Sequence, residues 1–328
     1  MDLDPIFQLP NPIRTSQLAG GANNRVFKLE FDDRDPLVYK QYFQHPNDPR
    51  PRLQTEFSFL EYAWKLGLRN IPQPLKASPT ANAALYPFLT GRFVQSTDLN
   101  DSLIEQTTSF FLALNRDKST GLHLRNSSES CFSFQDFLKI TESRIDRLKT
   151  IQNKTSIERD VVSFFDQDLL PKWKKIKEST CKAALHPQLS LDSPLPQEAR
   201  CISPSDFGFH NVLLHESGSL SFIDFEYAGW DDPCKTVCDF FCQPRVPVPE
   251  KYFPSVAEAF SSAASNPDAC MQRIGIIWPV MQMKWCCILL NTFTQVGKNR
   301  RAFSQSEELD RQEKQLSQTK QLLNKIEI

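Results

Sequence analysis

The sequence predicts an α+β fold in which strands dominate residues 1–91 and helices dominate residues 92–328. Residues 26–31 and 37–42 alternate apolar and polar side chains around a short acidic turn, a pattern typical of a β-hairpin. Helical spacing prevails from about residue 93 onward, most clearly over residues 101–115, 133–149 and 156–181. The chain of 328 residues, 40% of them hydrophobic, is long enough to form two domains with these boundaries.

A glycine-containing loop precedes the first predicted hairpin. Gly20 and Gly21, followed by Asn24, lie just before the first strong strand. Glycine lets backbone N–H groups approach a phosphate closely, although a pair of glycines more often marks an ordinary turn. The position before a strand favours a phosphate-binding loop, and the turn is the alternative.

A helix and a further strand follow the hairpin. Residues 52–66 place large apolar side chains at spacings of four, three and four, so we expect one buried helix face made of Leu53, Phe57, Leu60 and Trp64. The apolar run at residues 83–91 predicts a core strand that ends at Gly91.

A second hairpin is predicted near the middle of the helical part. Residues 212–215 and 220–223 are apolar and flank a Ser-Gly turn signal. If the turn is centred between Ser217 and Gly218, Asn211 lies opposite Asp224, with Cβ atoms roughly 4.5–5.5 Å apart. An amide oxygen and a carboxylate placed in this way can share one hard cation such as Mg²⁺. Asp206, on the loop that leads into the hairpin, is placed where a group accepting a substrate proton would be.

Composition and charge exclude several classes of protein. The formal net charge of -1 predicts no surface for nucleic acid. The first residues carry no secretory signal pattern, and the most apolar stretch, residues 274–293, contains Pro279, Gln282, Lys284 and Asn291, so we expect a buried helix and no membrane partner.

The cysteines indicate a reducing compartment. Nine cysteines are too few for a disulfide scaffold of this length, and the odd number leaves at least one unpaired, so we expect a cytoplasmic protein. Cys234, Cys238 and Cys242 share a helical spacing, but zinc needs a fourth ligand that the sequence does not predict nearby. Small buried side chains are the better interpretation.

The order of the polar residues matches phosphoryl transfer. An Asp, an Asn five residues later, a hairpin and then Asp-Phe is the order of base, metal ligand and metal ligand in kinases. The segments SPSDFGFHNVLL and LSFIDFEYAGWDDP resemble the aminoglycoside phosphotransferase and choline/ethanolamine kinase superfamily. One departure is Pro204, where that family usually has a His two residues before its catalytic Asp.

The resemblance implies a two-lobed, protein-kinase-like fold. Residues 1–91 would form the nucleotide-binding N-lobe, and residues 92–328 the C-lobe that carries the catalytic and acceptor-binding groups. ATP and Mg²⁺ would be the cofactors. The partner would be a small molecule with a hydroxyl group, such as an amino alcohol, an amino sugar, a sugar or a nucleoside.

The resemblance also assigns roles to single residues. Asp206 would be the catalytic base, and Asn211 and Asp224 would hold the metal. The nucleotide would contact Gly20, Gly21, Asn24 and Lys40, with Glu56 steadying the lysine and Phe88 and Leu89 in the hinge, because Pro87 has no N–H to donate. Lys28 competes with Lys40 on spacing alone, and Glu61 is interpreted as a solvated helix charge. His210 is interpreted as a residue that packs or forms a hydrogen bond within the loop.

Two other functions are consistent with parts of the sequence. A non-catalytic nucleotide-binding scaffold is suggested by Pro204 and by the incomplete glycine motif. A protein kinase would need a long activation segment closed by a motif like Ala-Pro-Glu, and only Pro249-Glu250 resembles it.

Overall fold

The computed structural model describes residues 5–18, 24–44, 48–185, 190–295 and 309–328, with side chains of the last range from residue 311. The chain forms two compact units. The first consists of Met1–Ser128 and Cys201–Asp231, and the second of Glu129–Arg200 and Asp232–Ile328. These units do not coincide with the predicted division at residue 91, because residues 92–128 and 201–231 pack with the N-terminal segment.

The first unit is built on a five-stranded antiparallel sheet. Its strands are β1 (Arg14–Gln17), β2 (Arg25–Glu30), β3 (Leu37–Gln41), β4 (Lys76–Ser78) and β5 (Ala83–Pro87), in the order β1-β2-β3-β5-β4. Leu29, Tyr39 and Leu85 belong to its buried core. Because successive side chains of a strand point to opposite faces, Lys40 projects from the face opposite to Tyr39.

Helix α1 (Arg52–Lys65) follows the first hairpin. Its buried side chains recur at helical spacing, but the buried stripe is rotated from the predicted one. Phe57 and Trp64 are only half-buried, whereas Glu56 and Phe59 are buried together with Leu53 and Leu60. The rotation brings one carboxylate into the interior of the first unit.

The predicted second hairpin is present, with a different register. Strand β6 (Arg92–Phe93) pairs with β8 (Val212–Leu214), which pairs with β9 (Leu220–Phe222), while β7 (Cys201–Ser203) pairs with β10 (Gly229–Asp231). Val212 lies opposite Phe222, so Asn211 is opposite Ile223 and the predicted opposition to Asp224 is wrong by one residue.

The turn explains this shift. The His215 N–H donates to the Ser219 carbonyl at 3.0 Å, and the Gly218 N–H donates to the His215 carbonyl at 2.9 Å. The loop therefore consists of residues 216–218, and its centre is Ser217 instead of the predicted point between Ser217 and Gly218. Gly218 adopts the left-handed conformation, with φ of 82°, that such a loop requires.

The remaining elements are helices. Helix α2 (Asp101–Leu114) belongs to the first unit. The second unit contains α3 (Phe134–Leu148), α4 (Ser156–Phe164), α5 (Leu170–Leu185), α6 (Pro233–Cys242), α7 (Phe253–Ser261), α8 (Pro267–Leu290) and α9 (Leu309–Lys325). A π-helical turn at Phe165–Leu169 joins α4 to α5 just before Pro171, which lacks the N–H that an α-helical turn would use.

Helix α8 is the apolar segment noted in the sequence. Within the described residues, Pro267–Phe293 is the one stretch long and apolar enough to cross a membrane, and 61% of its most apolar window is buried inside the protein. Lys284 and Cys287 are among its buried residues, as expected for a core helix. All nine cysteines of the chain are free thiols.

Candidate active site

Lys40 joins two carboxylates from distant parts of the first unit. Its Nζ lies 2.7 Å from Oε2 of Glu56 on α1 and 2.6 Å from Oδ1 of Asp224, just after β9. Lys40 and Glu56 are buried, whereas the Asp224 side chain is 35% exposed. Glu61, the alternative partner on α1, is exposed, and Lys28 pairs instead with Glu30.

Burial and neighbouring charge shift the pKa values of this group. Burial alone would lower the pKa of Lys40, but the carboxylates of Asp224 and Glu56 outweigh it and hold the pKa well above its ordinary value. Burial raises the pKa of Glu226, and the nearby Asp224 carboxylate adds to the rise. The carboxylates of Glu56, Asp224 and Glu226 outnumber the two buried cations, Lys40 and Arg52, by one, so the group carries one excess negative charge.

Two further contacts fix the Glu56 carboxylate. The Phe225 N–H donates to Oε1 at 3.3 Å, and the Tyr42 hydroxyl also hydrogen-bonds the carboxylate. The Tyr42 and Tyr86 hydroxyls lie 2.7 Å apart, and both rings are buried. The Phe225 ring stacks on Phe59 of α1 at 4.7 Å between ring centroids. Glu56 is thus held by the sheet and by the segment that follows Asp224.

Asp224 and Asn211 flank the end of the hairpin. Ile223 donates its N–H to the Asn211 carbonyl at 3.0 Å, which places the residue before Asp224 beside Asn211. Asp224 adopts a left-handed φ of 68°, a conformation that Asp tolerates better than most residues. The Asn211 Nδ2 donates to the Asp206 carbonyl at 3.0 Å, so the amide oxygen is not needed for this contact.

Asp206 lies on the loop between β7 and the hairpin. Its N–H donates to the Pro204 carbonyl at 3.0 Å, and its side chain is 38% exposed. The Nε2 of His210 lies 3.2 Å from Asp206 Oδ1. The contact is a hydrogen bond within the loop, one of the two roles predicted for His210, but its partner, the candidate base, was not predicted.

Only part of the predicted glycine loop lies within the described residues. Gly20 and Gly21 lie outside the described residues. Asn24 is described, and its side chain is used within the protein: Nδ2 donates to Glu226 at 2.6 Å and Oδ1 accepts from the Phe43 N–H at 3.1 Å. Glu226 in turn lies 3.5 Å from Nε of the buried Arg52. Asn24 thus links the loop to the acidic segment that follows Asp224.

The predicted hinge residues follow β5. The Phe88 N–H donates to the Pro36 carbonyl at 2.9 Å, and its ring lies under the Lys28 ammonium at 4.6 Å. The expectation that the Phe88 N–H is available to a ligand is therefore wrong, because the sheet already uses it. Leu89 is the predicted hinge donor that remains.

The site has the donors that Mg²⁺ prefers. Asp224 offers a partly exposed carboxylate and Asn211 an amide oxygen, both hard oxygen ligands. The excess negative charge around Lys40 also favours a divalent cation. Among the described residues no group of three or more His, Cys, Asp or Glu side chains could hold a metal, so an ion here would rely on one acid, one amide and oxygens from a substrate.

Sequence reasoning assigned Tyr42 and Glu226 no role beside Lys40, and it did not predict that His210 contacts Asp206. Tyr42 could have been found because it lies two residues beyond Lys40 on the same strand face. Glu226 could have been found in the same way, as an acid two residues beyond Asp224. The His210 contact depends on a 3₁₀ turn, Phe209–Asn211, that the sequence pattern did not predict.

Comparisons with known proteins identify the family and the fold. The model of the phosphotransferase enzyme family (APH) matches residues 14–273. The choline kinase LicA from Streptococcus pneumoniae has a similar structure, with a TM-score of 0.60 at 15% identity over 97% of this chain and 96% of that chain. A choline/ethanolamine kinase family protein from Mesorhizobium loti gives 0.59 at 14% identity over 94% and 88%.

A third similar structure is the gentamicin complex of APH(2")-IIa, with a TM-score of 0.57 at 15% identity over 100% of this chain and 98% of that chain. No curated protein sequence matches the chain. The three structural likenesses confirm the predicted α+β, protein-kinase-like fold.

Proposed function

Because the chain belongs to the phosphotransferase enzyme family, we propose that it transfers the γ-phosphoryl group of ATP to a hydroxyl group of a small molecule. The observation that carries the proposal is the position of the Lys40 ammonium, 2.6 Å from Asp224 and 2.7 Å from Glu56. A lysine and an exposed acid held together in this way suit a nucleotide phosphate and its metal ion.

Each residue of the site has a place in this reaction. Asp206 would accept or orient the proton of the acceptor hydroxyl, since its carboxylate is partly exposed. Asn211 and Asp224 would hold Mg²⁺, which, when bound, neutralises charge on the phosphate oxygens. Lys40 would contact the inner phosphates, and Glu56 would keep the lysine in place. Most of the catalysis would come from positioning and electrostatics.

The rest of the nucleotide site is proposed from sequence. Residues 20–25 would lie along the phosphates, with Gly20 and Gly21 contributing backbone N–H groups and Asn24 bracing the loop through Glu226. Leu89 would present backbone groups to the adenine ring. A cytoplasmic location is supported by the nine free cysteines.

The acceptor is proposed only as a hydroxyl-bearing small molecule. Screening pools of amino alcohols, amino sugars, sugars and nucleosides for acceptor-dependent ADP release would identify it. Release of ADP that no pool increases, together with tight nucleotide binding, would favour a nucleotide-binding scaffold and refute the proposed transfer.

Two variants separate chemistry from binding. Asp206→Ala should abolish acceptor-dependent ADP release and leave the calorimetric affinity for ATP with Mg²⁺ nearly unchanged. Asp224→Ala should weaken that affinity strongly, because it removes a metal ligand. Glu216→Ala, an exposed acid in the turn of the same hairpin, is the matched control. An Asp224 variant that binds ATP with Mg²⁺ as well as the control would contradict the metal assignment.

A further inference from the structure

One imidazole contacts the carboxylate proposed as the base. His210 Nε2 lies 3.2 Å from Asp206 Oδ1, four residues earlier, across the 3₁₀ turn Phe209–Asn211. The two side chains differ sharply in exposure, at 7% for His210 and 38% for Asp206. The imidazole therefore lies behind the carboxylate, on its buried side.

The surroundings of the ring decide which nitrogen carries the hydrogen. An ionised carboxylate only accepts hydrogen bonds, so the Nε2 that faces Asp206 must be the donor. The other nitrogen, Nδ1, is buried and has no hydrogen-bond partner in the described part of the chain. A hydrogen on Nδ1 would bury an unsatisfied donor, whereas a lone pair there is less costly. The geometry thus selects the ring form with hydrogen on Nε2.

The loop around Asp206 is constrained from several sides. Ser205 has a φ of 67°, which is strained for a residue other than glycine, and its N–H donates to Ser203 Oγ at 3.0 Å. The Asn211 side chain donates to the Asp206 carbonyl at 3.0 Å. These contacts fix the backbone of Asp206, while the His210 contact acts on its carboxylate.

We propose that His210 is a positioning residue for Asp206: its Nε2–H holds one carboxylate oxygen and so sets the direction in which the carboxylate meets an acceptor hydroxyl. The inference rests on the proposed function for its kinetic consequence, whereas the contact can be tested without activity. His210 is too buried to touch the acceptor, so it acts through Asp206.

The contact itself is tested by NMR. Long-range ¹H–¹⁵N spectra of the five histidines, with the His210 signals assigned from the His210→Gln variant, report which ring nitrogen carries hydrogen. We expect His210 to carry it on Nε2 in the wild type, and we expect the Nε2–H proton resonance to move upfield in Asp206→Ala, because a hydrogen bond to a charged carboxylate is lost. A wild-type ring with hydrogen on Nδ1, or an Nε2–H resonance that does not move in Asp206→Ala, would overturn the inference.

The consequence is tested by kinetics. His210→Leu keeps much of the side-chain volume and removes the donor, whereas His210→Gln places an amide N–H near the original Nε2. For ATP turnover measured as ADP release, His210→Leu should lower kcat about 10- to 100-fold through misplacement of the base. The KM for ATP should stay within about twofold, and His210→Gln should recover most of the loss.

His215 offers a matched control. It lies in the same hairpin, is half-buried and also uses Nε2, which lies 2.8 Å from Ser221 Oγ. His215→Leu should leave kcat near the wild-type value. Equal losses in both leucine variants, or an unchanged kcat in His210→Leu, would refute the positioning role. A wild-type protein that releases no ADP would refute the proposed function instead, and the NMR measurement would still decide the contact.

Discussion

The substitution Glu56→Gln tests how much the ion pair between Lys40 and Glu56 contributes to the free energy of unfolding. The change is nearly isosteric and removes one negative charge from the interior of the first unit. One carboxylate oxygen of Glu56 accepts from Lys40, at 2.7 Å, and the other accepts from the Phe225 N–H, at 3.3 Å. In glutamine one of these oxygens becomes an NH₂ group, so either the Lys40 ammonium or the Phe225 N–H then faces another donor.

The magnitude follows from the remaining contacts. Breaking a buried ion pair by removing one partner costs about 3–5 kcal/mol when a charge is left alone. Lys40 keeps Asp224 at 2.6 Å, so the loss is closer to that of one charge-assisted hydrogen bond, about 1.5–3 kcal/mol. We therefore expect Glu56→Gln to lower the free energy of unfolding of the first unit by about 2–3 kcal/mol.

Urea unfolding followed by circular dichroism measures this loss. Glu61→Gln is the control, because Glu61 lies on the same helix and is exposed, so a change within about 0.5 kcal/mol is expected. Equal stability of the two variants would show that the buried pair adds nothing to the fold. The reasoning from burial and geometry would then fail.

Three further predictions concern other buried features. Tyr42→Phe should cost about 1–2 kcal/mol in thermal unfolding, since it leaves a buried hydroxyl partner at 2.7 Å unsatisfied. In Glu129, burial would raise the pKa, but Arg144, together with the charges of Lys284 and Lys235, outweighs burial and holds the pKa at about 2, below the ordinary 4.5. Because the folded pKa is depressed, this stabilisation is complete above pH 4.5 and is lost as the pH falls toward 2. Glu129→Gln should therefore cost about 3 kcal/mol at pH 7, and its urea midpoint should approach that of the wild type only near pH 2. Gly229→Ala should destabilise by more than about 3 kcal/mol, since φ is 153° and the new Cβ would lie 2.3 Å from a backbone carbonyl oxygen. Gly218→Ala, with φ of 82° and no atom within 4 Å of its Cβ, should cost only about 1–2 kcal/mol, and similar costs at both glycines would contradict the steric argument.

The elements that the sequence predicted well are those set by local pattern. The hairpin of β2 and β3 follows from alternation and an acidic turn, and α1 follows from helical spacing. The division into compact units was not predictable in this way. It depends on Arg92–Phe93 pairing with Leu213 and Leu214, more than a hundred residues later, and such pairing leaves no periodic signal.

The candidate site shows the same limit at the scale of single residues. Sequence order placed Asn211 and Asp224 at the base of one hairpin, whereas the structure places Ile223, the residue before Asp224, opposite Asn211. The predicted register was wrong because loop length fixes register, and a Ser-Gly signal does not decide whether the hairpin is centred between Ser217 and Gly218 or on Ser217. Glu56 was chosen over Glu61 as the neighbour of Lys40 because of the family resemblance. The rotation of α1 gives the physical reason, because it buries Glu56 and leaves Glu61 exposed.

The buried charges of the first unit are hard to explain by stability alone. Apolar side chains of similar volume often stabilise an interior as well as a buried ion pair does, or better. Lys40, Glu56 and Glu226 are nevertheless all buried, and the group they surround, Asp224, is partly exposed. The buried charges are therefore concentrated next to one solvent-accessible carboxylate. Ion pairs and hydrogen bonds hold them there, although packing of the core alone would not require charged side chains. Perturbed acids and an ammonium arranged around one accessible carboxylate are typical of a functional site. Because the same residues form the sheet–helix contact, a change to the site is expected to alter stability and ligand binding together.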